Sequence, residues 1–129
     1  MNDNNYYIAR GAMYNYRRRV TGETPRTLGG MSMNDNNYYI VRGKNSGVFF
    51  GNIKARNGQE VTMTNVRRLW YWEGAASISQ LAAEGTKSPS SCKFTQTVDE
   101  MIILDVIELD LCSDKAVVSI CGVPVWSIR

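Results

Sequence analysis

The turn "RNGQ" at 56–59 separates two long β-prone runs, and no other feature constrains the fold of this chain as much. Asn-Gly readily supplies the positive-φ positions of a two-residue hairpin loop, so the runs on either side pair antiparallel. The incoming run, "GVFFGNIKA" (47–55), is aromatic and β-branched. The outgoing run, 60–72, keeps Val61 and Met63 on one face, but beyond Asn65 its large apolar side chains fall on both parities. If Val66, Trp70 and Trp72 share a face, a phase slip sits near Asn65, and a β-bulge produces one. Alternation beyond that point puts Arg68 with Trp70 and Trp72, and Arg67 with Leu69 and Tyr71. At least one guanidinium then lies beside aromatic rings.

The remaining elements follow from period and punctuation. Residues 37–42 read as a strand, "CKFTQTV" (92–98) as another with Asp99 and Glu100 at a turn or bulge, and "MIILDVIELDL" (101–111) as the strongest. Ser77-Ile-Ser-Gln80 has capping-box form, with Gln80 reaching back to the Ser77 amide; "ISQLAAE" makes two helical turns and Gly85 stops them. Ser113 is the expected N-cap of "DKAVVSIC", whose Val117, Ile120 and Cys121 line one stripe before Gly122 and Pro124 end it. "VPVWSIR" is an extended tail. The expected architecture is α+β: an antiparallel sheet of about five strands with two short helices, in a single domain.

Two segments differ in kind. "MNDNNYYIARG" at 1–11 returns as "MNDNNYYIVRG" at 33–43, with Ala9 replaced by Val41, yet the stretches after the copies are unalike. A structural repeat would carry a comparable unit after each copy, so residues 1–32 read as a leader, an upstream start or an appended segment, and 33–129 as the ligand-binding domain. The net charge of +3 arises in that leader, whose five arginines face two acids; the remaining residues carry ten basic and ten acidic side chains. "YRRR" (16–19) reads as a solvated basic arm more readily than as a phosphate contact.

Composition excludes several classes of function. The chain is long enough for one core, and at 43% hydrophobic and 21% charged it is of ordinary globular type. No apolar run reaches membrane-spanning length and the first ten residues lack a signal-peptide pattern, so a soluble, cytoplasmic protein is expected. The neutral body argues against duplex nucleic acid as a partner. Three cysteines without CxxC spacing suggest neither a disulfide framework nor a thiolate zinc site, and read as buried or inert thiols. The absence of histidine removes the commonest general base and most catalytic zinc sites, and no Walker loop or GxGxxG is present. Asp105, Glu108 and Asp110 read as solvated, Asp105 pointing away from the other two. No cofactor or metal is implied. The chain reads as a binder and not an enzyme.

Attention then falls on "RRLWYWEGAASISQ" (67–80). Aromatic rings stack on nucleobases and arginine forks match phosphate oxygens. Small residues at 74–76 let a ligand approach backbone, and amides opening the 77–84 helix can face an anion. The competing reading makes Trp70, Tyr71 and Trp72 core or subunit interface, with the arginines capping ring faces. The stretch "YYIVRG", with "SGVFFGNIKARNGQEVTMTNVRRLWYWEGAASISQLAAEGTKSPSSCKFTQTVDEMIILDVIEL", resembles the phage-encoded Thoeris anti-defence sponges over residues 38–129. Its most specific parts are "NVRRLWYWEGAASISQLA" and "SPSSCKFT". That resemblance implies sequestration, without cleavage, of cyclic ADP-ribose isomers in an infected bacterial cell. It also implies, for some members, separate sites for cyclic oligonucleotide signals in a hexamer; an exposed aromatic strand itself favours a homo-oligomer, with a dimer interface as a natural place for a pocket. From the residues themselves the candidate ligand contacts are Arg67 or Arg68 for pyrophosphate and Trp72 and Phe94 for stacking. Ser77 and Gln80 are polar fixers, and Lys93 a weaker candidate. The alternative is a phage structural or interaction protein that uses the Arg-Arg-Leu-Trp-Tyr-Trp strand as an assembly surface.

Overall fold

The computed structural model describes residues 31–33 and 35–128, so the leader reading of residues 1–32 lies outside the described residues except at Met31 and Ser32, which form a short strand of the sheet. The hairpin set by Asn57-Gly58 dominates the fold. Strand β3 (Val48–Asn57) pairs antiparallel with β4 (Glu60–Tyr71), and Gly58 takes φ +61° in the turn. The expected bulge is present: Phe50 faces Arg67 while Asn52 faces Thr64, which leaves one extra residue in β4, and Asn65 adopts φ +50°. Gly51 makes room for it, since a Cβ there would sit 2.8 Å from the Asn65 carbonyl oxygen and 2.9 Å from Val66 Cα. A second, compensating slip lies between Ile53 and Ala55. Bulges on both strands bend the hairpin strongly.

That bend lets the sheet curl. Strand β2 (Tyr39–Gly43) pairs with the first half of β3, and the dipeptide strand β1 (Met31–Ser32) with its second half. The run 101–111 is not one strand. It breaks at Leu104-Asp105 into β6 (Val98–Ile103), which pairs with β4, and β7 (Val106–Leu111), which pairs with β2 at the other side of the sheet. Two residues thus join strands on opposite sides of the sheet. Asp105 fixes this corner: its carboxylate accepts from the amides of Asn45 and Ser46 at 2.8 and 3.1 Å and from the Ser46 hydroxyl, while its carbonyl accepts from Lys44 N–H. The Ser46 hydroxyl, with those amides, holds the Asp105 carboxyl below the usual range. The strand expected over 92–98 shrinks to β5 (Lys93–Phe94), because Asp99 and Glu100 lie inside β6 and not at a turn.

Curling produces two cores, which explains strands that are apolar on both faces. Val41, Phe49, Ile53, Val61, Met63, Val66, Ile103 and Val106 form the inner core, on one face of the sheet. Ile40, Phe50, Leu69 and Phe94 form the outer layer, against which helices α1 (Ile78–Glu84) and α2 (Asp114–Cys121) pack Leu81, Ala116 and Ile120. Each fully buried side chain of this size contributes about 1.5–3 kcal/mol of transfer free energy. Ser77 and Ser113 cap their helices as expected, accepting from the amides of Gln80 and Ala116. The α2 stripe differs from expectation: Ala116 and Ile120 are buried, Val117 is half-buried and Cys121 is exposed, whereas Cys92 and Cys112 are buried. The architecture is α+β in a single domain, a seven-stranded sheet, two of whose strands are dipeptides, with two helices on one face.

Candidate functional site: an exposed aromatic platform

The bulge at Asn65 sets the phase of everything after it on β4. Val66 points into the inner core, Arg67 and Leu69 point towards the helices, and Arg68 and Trp70 follow Val66 in parity. Arg67 is therefore buried. Its Nε donates to Thr95 O at 2.8 Å, one terminal nitrogen to Ile120 O and Val123 O at 3.0 and 3.1 Å, and the other to Phe94 O at 3.1 Å. The guanidinium carbon lies 5.5 Å from the Phe94 ring centroid. Burial lowers its pKa, against a smaller raising influence from Cys121. A guanidinium spent on four backbone carbonyls ties β5, the end of α2 and the tail together, so the structure takes Arg67 out of the candidate phosphate contacts.

Arg68 is half-buried and lies over the Phe49 side of the inner core. Its carbon sits 4.6 Å from the Phe49 ring centroid and one terminal nitrogen donates to Ser46 O at 2.7 Å. Both arginines do lie beside aromatic rings, but the rings are phenylalanines of neighbouring strands and not the Trp-Tyr-Trp block. Phe94 is completely buried and has no free face for stacking. Trp72 follows the end of β4 and leaves the parity of Trp70; it packs half-buried against the outer core with Leu69. Ser77 is occupied as the α1 cap, and Gln80 Oε1 accepts from the amide of Ala76, one residue earlier than the Ser77 amide expected. Of the seven candidate contacts, Lys93 has the greatest freedom at an aromatic surface.

That surface is built by β4, β5 and the tail. The tail leaves α2 through buried Val123, makes a parallel bridge from Val125 to Phe94, and donates Trp126 N–H to Phe94 O at 2.9 Å. Trp126 is thereby laid over Trp70, with ring centroids 6.2 Å apart and planes 14° from parallel. The Lys93 ammonium stands 5.6 Å from the Trp126 centroid and 5.8 Å from that of Tyr71. The Tyr71 hydroxyl donates to Glu73 at 2.6 Å, which raises its pKa. Trp70, Tyr71 and Trp126 remain 63%, 44% and 45% exposed. Sequence reasoning passed over Trp126, because nothing in a short extended tail announces that it returns to β4.

Elsewhere, an open groove of about 420 Å³ runs between α1 and β7, lined by Ser79, Ala82, Ala83, Asp110, Leu111, Cys112 and Ser113; it holds none of the candidate contacts. Asp110, half-buried there beside Glu108, is pushed up to about 7, first by burial and then by that neighbouring carboxylate. Glu108 pairs with Arg42 at 2.9 Å. Among the described residues no group of three His, Cys, Asp or Glu side chains is placed to hold a metal ion. No helix among them is long and apolar enough to cross a membrane.

A small α+β domain, an antiparallel sheet with two helices and an exposed aromatic platform, is the class these features define. The chain belongs to the family described as Domain of unknown function (DUF6948), whose model matches residues 36–120. No curated protein and no solved structure matches it.

Proposed function

We propose that this chain is a non-catalytic binding protein that sequesters a cyclic nucleotide signal of the cyclic ADP-ribose type in the cytoplasm of an infected bacterium. The Trp70–Trp126 platform with Lys93 is the surface that receives it. The observation that carries this reading is the stacked, solvent-facing indole pair with an ammonium held between Tyr71 and Trp126. An indole face takes a purine by stacking, and the ammonium takes a phosphate.

Magnitudes add a requirement. One stacked base contributes about 1–3 kcal/mol, and one charge-assisted hydrogen bond about 1.5–3 kcal/mol. Sequestration at micromolar protein needs nanomolar affinity, about −12 kcal/mol. A single open platform falls short by half or more. A second copy closing over the ligand with its own platform brings the sum to about 5–12 kcal/mol, which meets the requirement at its upper end, so a homo-oligomer, dimer or hexamer, belongs to the proposal.

A second reading makes the same patch an assembly surface with no small ligand. It is favoured by Val125 and Ile128, exposed at 56% and 98%, which extend the apolar surface along the tail. Titration calorimetry against a cyclic ADP-ribose isomer, with sizing of the oligomer, separates the two. Sequestration expects nanomolar binding, ligand recovered intact after heat denaturation, and loss of the binding heat in Trp70→Ala. No heat from wild type, with an oligomer that dissociates in Trp70→Ala, establishes assembly instead.

A further inference from the structure

Strand β7 ends the sheet. It pairs with β2 alone among the described residues, and the aromatic platform lies at the other end of the strand order, on β4 and β5. Cys112 N–H donates to Tyr38 O at 2.9 Å. By the antiparallel alternation Glu108 and Asp110 also turn their backbone groups to β2, while Ile107, Leu109 and Leu111 turn theirs outward. Among the described residues those outward groups meet no backbone partner. The side chains divide in the same way. Leu109, opposite Val41, lies on the inner-core face with exposed Ile107 and Leu111. Glu108 and Asp110, opposite Arg42 and Ile40, lie on the helix face, where the groove beside α1 follows the same edge. The α1 wall of that groove is Ser79, Ala82 and Ala83, all short, and Asp110 lines its other side. Asp110 Oδ2 is buried and receives no hydrogen bond from a described donor. The neighbouring carboxylate, Glu108, already takes Arg42 at 2.9 Å.

We propose that the β7 edge takes an extended peptide segment of a partner protein as an added antiparallel strand, one whose apolar side chains alternate with arginine or lysine. An unpaired edge supplies main-chain hydrogen bonds, and the alternate side chains supply specificity. Opposite Ile107, Leu109 and Leu111 the segment places its apolar residues, which extend the inner-core face. Its intervening residues fall on the helix face, where the short α1 side chains leave room for a long one and Asp110 calls for a cation. Burial and Glu108 hold the Asp110 carboxyl up at about 7, and an arriving guanidinium offsets both. A second copy of β7 fits less well. Antiparallel pairing about Leu109 would set Glu108 of one copy against Asp110 of the other, carboxyl against carboxyl. The edge lies across the sheet from the Trp70–Trp126 platform, so this site stands or falls apart from the nucleotide reading.

A fluorescein-labelled, end-capped peptide Val-Arg-Val-Arg-Val tests this against the full chain at pH 8, by fluorescence polarisation and by amide exchange. Saturable binding is expected, with the amides of Ile107, Leu109 and Leu111 exchanging fast in the free chain and slowly in the complex. N-methylation of the central valine sets a methyl group in the ladder and should weaken binding about tenfold or more. Glutamate in place of both arginines should abolish it. Asp110→Asn keeps the shape of the side chain and should weaken binding about tenfold, the difference between a charged and a neutral acceptor. The proposal is overturned by no binding, or by affinity that neither N-methylation nor Asp110→Asn changes. It is also overturned if those three amides are already protected in the free chain, which would show the edge occupied, and by a second copy if the protection falls on dilution.

Discussion

Replacing Arg67 by alanine separates a residue that builds the fold from one that meets a ligand. Four hydrogen bonds from a charged donor to backbone carbonyls, each worth about 1.5–3 kcal/mol, give a gross gain of roughly 6–12 kcal/mol. Burying the charge costs several kcal/mol in return. Truncation takes the guanidinium from the Thr95 and Val123 carbonyls, while Phe94 O keeps Trp126 N–H and Ile120 O keeps Val123 N–H; each carbonyl left dry and unpaired costs about 1–3 kcal/mol. Water reaches some of them once the side chain is gone. The expected net loss is about 3–5 kcal/mol, the size seen when a buried charged network loses one partner. For a domain near 100 residues that is a fall in Tm of roughly 15–30 °C. Arg67→Lys should fall between, because an ammonium has three donors and no fork to span four carbonyls. Urea unfolding with scanning calorimetry reads both variants. A loss below about 1 kcal/mol, with ligand heat abolished, would refute the structural role and return Arg67 to the binding site.

Three other perturbations follow from the geometry. Gly74→Ala should cost about 2–4 kcal/mol, since φ is +85° and a Cβ would stand 2.5 Å from both Ser88 N and Thr86 Oγ1; Gly58→Ala, at φ +61° with open space, should cost only about 1 kcal/mol by the same unfolding assay. Ser113→Ala removes both the α2 cap and the 2.7 Å bond from its hydroxyl to Ala83 O, for an expected loss of about 1–2 kcal/mol and earlier amide exchange in α2. Asp110 holds its proton in the folded state up to about pH 7, well above the unfolded chain, so its contribution is complete at acid pH and declines as pH rises towards 7. Asp110→Asn should therefore gain on wild type between acid and neutral pH in denaturation midpoints, and an unchanging difference would contradict the assignment.

Local chemistry settled the parts of the fold that depend on near neighbours. Asn57-Gly58 specified the hairpin, the change of parity around Asn65 specified the bulge, and Ser77, Gly85 and Ser113 bounded the helices, because turns, caps and strand phase are read over a few residues. The platform was less legible. The block at 70–72 was visible as aromatic, and Lys93 as a cation, but Arg67, Phe94 and Trp72 looked equally suited to a ligand. A period of two states which side chains share a face and not which face is covered. Here both faces are, since the sheet curls round one core and receives two helices on the other.

The residues alone were enough to define the antiparallel hairpin, the bulge, the helix limits and a chain with no histidine. Long-range packing was needed to break 101–111 at Asp105 so that it joins opposite sides of the sheet, to consume Arg67 on four carbonyls, and to fold Trp126 back over Trp70. Each of those depends on contacts between residues far apart in the chain. Their free energies exist only once the sheet has assembled and the tail has docked, and no local pattern encodes them.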